Sequence, residues 1–376
     1  MSESRKRATL LVALLALSLP LAACGEDSDG GAEKAEAKTS ALPLPSEGRY
    51  FSAESPWNTT IEGLPTALRS EQMLSLARKR RAVVELPGEE GVAVVERTVD
   101  KGFQINAERW APLVVRSGGE SAVPVEMVCR QTRCGPEEGR VPATLALPPG
   151  TRPDPRYDGW LSVIDPATGL GYDFWRARRQ SDDTISFQYA KAWALAGPGF
   201  SPPVSVDPAR AAGARGSGLP LFAGVIGPQE LRTGEINHAL AVSVPGLARR
   251  SYVQPASVTD GVGPTDSLPA GARIRLKGSV RPRLESGDPG RPATEAILVA
   301  LRRYGAIVVD RASVPTFYAA QGTPSNLVAE DELEWLGLDD FEVVALPPVL
   351  QDPPLDQVRQ QGLAGSGANR PAGGGG

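Results

Sequence analysis

The chain has 376 residues, and 40 Lys and Arg stand against 44 Asp and Glu, for a formal net charge of −4. This mildly acidic balance gives no reason to expect nucleic acid as a partner. Hydrophobic residues make up 41% of the chain, which is enough to build a substantial folded core.

Residues 1–23 are predicted to be a lipoprotein signal peptide. Basic residues from Arg5 to Arg7 precede an apolar run from Ala8 to about Leu19, which is too short to span a bilayer. The Leu-Ala-Ala-Cys sequence that ends at Cys24 looks like a bacterial lipobox. We therefore expect diacylation of Cys24 and an extracytoplasmic protein held at the cell membrane by this lipid. An ordinary cleaved signal peptide with a chance cysteine is the alternative.

The segments on either side of the body are predicted to be disordered. Residues 24–46 have low hydrophobicity and high charge, which is typical of a flexible tether that spans roughly 25 Å on average. Residues 351–376 include a tail rich in Gly and Ala. Between them, residues 47–350 are predicted to form a single β-rich domain. Without residues 1–23, which carry a net +2, the formal charge changes from −4 to about −6.

The first elements of the body are a helix and a pair of cysteines. A helix is predicted over residues 65–80, which begin with proline and carry apolar residues at helical spacing. Cys129 and Cys134 are the remaining cysteines, and in an oxidising compartment they are expected to form a local disulfide. A metal or redox pair is the alternative, but one histidine cannot complete a zinc site. We therefore predict no metal and no cofactor.

Residues 160–164 and 171–178 are predicted to form a β-hairpin around the turn Asp165–Gly169. Asp173 and Trp175 are two positions apart and therefore share one face of their strand. An indole can stack on the apolar face of a sugar while a neighbouring carboxylate transfers protons. Trp160 is a second candidate stacking platform. In the structural alternative the tryptophan belongs to the core and Asp173 pairs with one of the nearby arginines, Arg176, Arg178 or Arg179.

Residues 184–193 are predicted to form the next strand, and a glycine-rich loop follows. This loop, Arg215-Gly-Ser-Gly218, could present Arg215 to an anionic or hydroxylated ligand. A loop that needs glycine for its backbone angles is the alternative. Ser217 does not match the serine-hydrolase pattern, because Arg215 occupies the position of the first glycine.

His238 is the only histidine of the chain. Imidazole has a reference pKa of about 6.5, which makes it the usual proton carrier at neutral pH. Residues 235–244 alternate as a strand would, and the neighbours of His238 on its own face are apolar. A buried histidine that is hydrogen-bonded for structural reasons is the alternative.

The remaining elements complete a mainly β pattern. Further strands are predicted over residues 273–277, 306–310 and 341–346, with helices over residues 293–304 and 330–336. Asp310 ends one of these strands. Many short strands and few helices predict an antiparallel β-sandwich or jelly-roll-like body.

Several motifs of the body are similar to those of an uncharacterised family of exported bacterial proteins. The similarity covers about residues 55–344, and the family supplies no stated activity. In sequences of this family the position of Asp173 is often Glu and the position of Glu235 varies, which implies that Asp173 and His238 are the better candidates. The matching motifs are Ser55-Pro-Trp-Asn58, Tyr172-Asp-Phe-Trp175, Gly234-Glu-Ile-Asn-His-Ala-Leu240 and Tyr304-Gly-Ala-Ile-Val-Val-Asp310.

Two functions are consistent with this sequence. The first is a cell-envelope, glycan-active enzyme, a polysaccharide hydrolase or lyase. Asp173 and His238 would be its acid/base pair, and Asp310 a second carboxylate. Its substrate-binding residues would be Trp175, Trp160 and Arg215. The second is a non-catalytic lipoprotein that binds a wall glycan or an envelope protein. The enzyme predicts a cleft with His238 near a carboxylate, and the binding protein predicts a shallow aromatic surface.

Overall fold

A computed structural model describes residues 48–85, 92–282 and 291–353. The predicted signal peptide, Cys24, the tether up to residue 47 and the tail beyond residue 353 lie outside the described residues. Among the helices that are described, none is long and apolar enough to cross a membrane.

Short strands dominate the described ranges. Four α-helices accompany them: α1 (Ser70–Ala77), α2 (Pro208–Ala211), α3 (Pro228–Thr233) and α4 (Arg291–Arg303). The strands of the first half are β1 (Lys79–Glu85), β2 (Val92–Thr98), β3 (Gln104–Asn106), β4 (Leu113–Arg116), β5 (Val123–Cys129), β6 (Thr144–Leu147), β7 (Leu161–Asp165), β8 (Leu170–Trp175) and β9 (Arg178–Arg179). Those of the second half are β10 (Ile185–Phe187), β11 (Tyr189–Ala194), β12 (Leu240–Val244), β13 (Ser251–Tyr252), β14 (Arg273–Leu276), β15 (Ala306–Arg311), β16 (Thr316–Tyr318), β17 (Phe341–Val343) and β18 (Leu350–Gln351).

The strands form three larger sheets and two small two-stranded ones. The largest sheet has the order β17-β14-β15-β12-β16-β3, and the two four-stranded sheets have the orders β11-β8-β7-β4 and β6-β5-β10-β9. The pairs β1–β2 and β13–β18 stand apart from these. Four strand pairs, β4–β7, β5–β10, β12–β15 and β3–β16, are parallel, and the others are antiparallel. The body is therefore mainly β, as predicted, but its sheets are mixed.

The large sheets stack in layers, because alternate residues of the inner strands are buried on opposite faces. In β15, Val308 packs into the core shared with α4, whereas Ile307 and Val309 pack into the core on the opposite face of the sheet. In β7, Leu161 and Val163 face a third core, between the two four-stranded sheets. The middle core lies between the six-stranded sheet and β11-β8-β7-β4. It also contains side chains of residues 219–225 and of residues 48–58, which we call the N-terminal segment.

The hairpin around residues 165–169 is confirmed, since β7 and β8 pair antiparallel across it. The predicted helix over residues 65–80 is shorter, because Thr66 instead bridges Val344 in extended conformation and α1 begins at Ser70. Residues 184–193 form two strands in different sheets, with the break at Gln188. The helix predicted over residues 330–336 is wrong, because this stretch consists of turns.

The disulfide is confirmed. Cys129 and Cys134 are joined, and their Cα atoms lie 5.8 Å apart. Glu138 lies next to the two sulfur atoms, but disulfide sulfurs have no thiolate to offer a metal.

Candidate functional site

Four of the predicted site residues meet in the middle core. Asp173 lies on β8, on the face opposite to Tyr172 and Phe174, and so points toward the six-stranded sheet. Its Oδ1 accepts a hydrogen bond from Ser162 Oγ at 2.6 Å. Its Oδ2 accepts hydrogen bonds at 2.8 Å from the indole N–H of Trp193 and from the backbone N–H of Leu221. Both carboxylate oxygens therefore have donors.

Arg215 is the centre of this buried polar cluster. Its guanidinium donates to the backbone oxygens of Pro220 and Leu221, at 3.3 and 3.0 Å. It also forms an ion pair with Asp310, whose Oδ1 accepts a hydrogen bond from the Gly216 N–H at 2.7 Å. The loop that was predicted to present Arg215 to a ligand instead folds it inward. Its guanidinium group is therefore paired inside the protein, with Asp310 and with two backbone oxygens.

Two aromatic rings flank the guanidinium of Arg215. The ring of Tyr318 lies 4.6 Å and that of Trp160 5.3 Å from its Cζ atom. Trp160 is buried in the middle core. Its ring was predicted to stack on a sugar, but it packs against Arg215 instead. The Tyr318 hydroxyl is hydrogen-bonded to Ser243 at 2.6 Å.

Burial raises the pKa of Asp173 to about 6, although the donors from Ser162, Leu221 and Trp193 and the charge of Arg215 act in the opposite direction. Next to Asp173 across the strand pair lies Lys191. Burial lowers its pKa to about 7. Its ammonium group donates to Ser201 Oγ and to two backbone oxygens at 2.7–2.9 Å, which uses its three protons.

His238 lies outside this cluster. It precedes β12, which begins at Leu240 and not at residue 235 as predicted. Its Nδ1 donates to the Ala239 oxygen at 2.9 Å, and its Nε2 lies 3.0 Å from Glu230 Oε1, in an ion-pair contact that is not directed along a hydrogen bond. Burial acts to lower the pKa of His238, but the negative charge of Glu230, its contact with the ring and the hydrogen bond to the Ala239 oxygen together outweigh burial and raise the pKa above its ordinary value.

The N-terminal segment closes over this ion pair. A side chain at Gly48 would collide with both His238 and Glu230. Glu230 was not identified from the sequence; it also accepts a hydrogen bond from Gly227 at the start of α3. No hydrogen bond or ion pair within the described ranges joins His238 to Asp173.

The predicted catalytic groups are closed to solvent. The exposed fractions of Asp173, His238 and Asp310 are 1%, 0% and 4%. A general acid or base has to come within about 3 Å of the proton that it transfers, so no substrate reaches these groups in this conformation. Two shallow depressions flank Trp335 and Asp340, and neither is lined by any of the predicted site residues.

A different group of residues forms an aromatic surface, which we define as Trp110, Tyr157 and Trp175 with their arginine neighbours. The Trp110 and Tyr157 rings meet edge to face at 4.9 Å, and Trp110 is 48% exposed. Tyr157 ends a short 3₁₀ turn and is followed by Asp158, whose carboxylate accepts the indole N–H of Trp175 at 3.4 Å. Trp175 is thus linked to Tyr157 through Asp158; its ring is partly exposed and also packs against the middle core.

Arginines flank each part of this surface. The guanidinium groups of Arg109 and Arg156 lie 5.9 and 5.3 Å from the Tyr157 ring, and that of Arg176 lies 4.7 Å from the Trp175 ring. Arg156 is neutralised by Asp154, with which it forms a close ion pair. Within the described ranges, neither Arg109 nor Arg176 has an ion pair.

The backbone of the aromatic surface is strained. Six non-glycine residues have a positive φ in the part of the chain that is described, and three of them, Trp110 (50°), Asp158 (64°) and Arg176 (53°), lie here. Such conformations cost about 1–3 kcal/mol each and often occur at binding sites. Of these three aromatic residues only Trp175 was predicted from the sequence, because no periodic pattern connects Trp110 with Tyr157.

Comparison of the chain with protein-family models, with curated proteins and with solved structures gives no match. The function is therefore inferred from the fold, the buried polar cluster and the aromatic surface.

Proposed function

We propose that this protein is a non-catalytic, lipid-anchored protein of the cell envelope that binds a glycan through its aromatic surface. The observation that carries the proposal is the group formed by the exposed ring of Trp110 and the partly exposed rings of Tyr157 and Trp175. Tyr and Trp side chains are common at surfaces where the ring contacts an apolar group and its O–H or N–H contacts water. Sugar rings present this combination of an apolar face and hydroxyl groups.

The enzyme hypothesis has less support from the geometry. Its acid/base pair would need Asp173 and His238 in one open cleft. Asp173 is instead surrounded by donors of the middle core, and His238 faces Glu230. In both arrangements the neighbouring groups stabilise a buried polar side chain. Such a structural role was the alternative to catalysis for each residue.

A binding assay with the full-length chain tests the proposal. We expect retention by insoluble peptidoglycan or by polygalacturonate in affinity electrophoresis. Trp110→Asn should weaken this binding at least tenfold, because removal of a ring that anchors an interface costs about 1.4 kcal/mol or more. Asparagine is chosen because it tolerates the positive φ of residue 110. Leu68→Asn, which removes a fully exposed apolar side chain elsewhere, is the matched control and should bind like wild type.

Three results would overturn the proposal. The first is equal binding by wild type and Trp110→Asn, and the second is no binding to either polymer. The third is release of soluble fragments by wild type that is lost in His238→Ala, since this result would establish catalysis.

A further inference from the structure

We infer that the ligand of the aromatic surface is an anionic glycan, whose carboxylate or phosphate groups pair with Arg109 and Arg176. This inference rests on the proposed function and adds the chemical class of the ligand. Its basis is the distribution of charge around the three rings. Both arginines are exposed and lack an ion pair in the described ranges, although acidic residues outnumber basic ones in the chain.

Stacking leaves the donors of these arginines available. The guanidinium carbon of Arg176 lies over the Trp175 ring, 4.7 Å from its centroid, and the ring offers no oxygen that would accept the guanidinium N–H groups. The N–H donors lie along the edge of the plane, so they can still form paired hydrogen bonds with a carboxylate or phosphate. The ring also restricts the side chain, which reduces the conformational entropy that binding would cost.

The acidic neighbours of this surface are already engaged or lie at its margin. Asp154 holds Arg156, and Asp158 accepts the indole N–H of Trp175. Glu108 is exposed beside Arg109. A neutral glycan could offer Arg109 and Arg176 only uncharged hydroxyl and ether oxygens, whereas an anionic glycan would give each a charge-assisted partner.

The test compares an anionic polymer with its uncharged ester and with two further anionic polymers. Full-length protein is titrated with polygalacturonate and with its fully methyl-esterified form; glycerol-phosphate teichoic acid supplies the phosphate arm, and poly-glutamate supplies charge without sugar. We expect at least tenfold tighter binding to polygalacturonate or teichoic acid than to the ester. This preference should shrink as salt rises, because exposed charges are screened.

Two variants assign the preference to particular residues. Arg176→Asn and Arg109→Ala should each reduce the ratio of the affinities for the charged polymer and for the ester several-fold. Arg250→Asn and Arg249→Ala are the matched controls: Arg250 is also an exposed arginine with a positive φ (62°), and Arg249 is exposed next to it. Both controls should keep the wild-type preference.

The two proposals fail in different ways. Equal binding to the acid and the ester, still sensitive to Trp110→Asn, overturns the anionic ligand and leaves glycan binding standing. Equal binding to poly-glutamate overturns recognition of the sugar, and no binding to any polymer overturns both proposals.

Discussion

Asp173 shows at the scale of single residues how its surroundings decide the role of a carboxylate. From the sequence it was a candidate acid, and its pKa of about 6 would suit that role. The atoms around it are a hydroxyl, an indole N–H and a backbone N–H, all of which belong to the core. A perturbed pKa is thus also what a buried structural carboxylate acquires.

We predict that Asp173→Asn folds and gains stability relative to wild type as pH rises. A carboxyl whose folded pKa of about 6 lies above its unfolded value of 3.8 binds more protons when folded. Wild type therefore loses roughly 2–3 kcal/mol from this group between pH 4 and pH 7, and the variant does not. The amide can donate to Ser162, whose hydroxyl can also accept, while its oxygen keeps Trp193 and Leu221.

Urea unfolding at pH 4 and pH 7 measures this difference. Asp165→Asn, in the turn of the same hairpin, controls for the loss of one formal charge. A difference between Asp173→Asn and wild type that is the same at both pH values would contradict the prediction.

At the scale of elements, α3 and the start of β12 are joined by one ion pair. Glu230 satisfies the Gly227 N–H at the beginning of α3 and faces His238 just before β12. The helix is too short to be stable alone, so its position depends on such contacts. The alternation over residues 235–244 did not reveal this ion pair, because the pattern begins at residue 235, whereas the strand begins only at Leu240.

Glu230→Gln should destabilise the protein more at low pH than at high pH. Because the folded pKa of His238 is raised, its charge stabilises wild type fully below the unfolded value of about 6.5, and this contribution is lost as pH rises through the folded pKa. In the variant, burial would instead oppose protonation. Thermal unfolding at pH 5.5 and pH 9 measures the two differences, with Glu235→Gln as the control for an exposed neighbouring glutamate. Equal losses at the two pH values would show that the pair does not act through charge.

At the scale of the whole molecule, the chain that leaves the predicted tether enters the core at once. Trp57 is buried and donates to the Gly199 oxygen, and Asn58 donates to three backbone oxygens of residues 50–52. The N-terminal segment is thus part of the middle core. In the proposed lipoprotein, a tether attached here would link the membrane directly to the folded body.

Cys24→Ser is predicted to release the protein from the membrane. In a bacterial host that processes lipoproteins, wild type should appear in the membrane fraction and incorporate a labelled fatty acid, because the sequence predicts a lipid anchor on Cys24. The variant should incorporate no label. Trp110→Asn, which leaves the lipobox unchanged, should be labelled like wild type. Labelling of the Cys24→Ser variant would refute the lipid anchor.

Local sequence determined the features that depend on neighbours in the chain. Turn chemistry around Asp165 and the alternation of β7 and β8 predicted the hairpin, and the short spacing of Cys129 and Cys134 predicted the disulfide. The mainly β class follows from the same local signals. The predicted signal peptide and the lipid on Cys24 rest on sequence alone.

Only the tertiary structure decided which side chains meet. Arg215 and Asp310 are 95 positions apart, and Asp173 and Leu221 are 48 apart, yet all four converge between two sheets. Periodicity shows which face of a strand a residue occupies, but the layer that packs against that face determines its partners. This layering buried the predicted catalytic groups and left Trp110, Tyr157 and Trp175 on the surface.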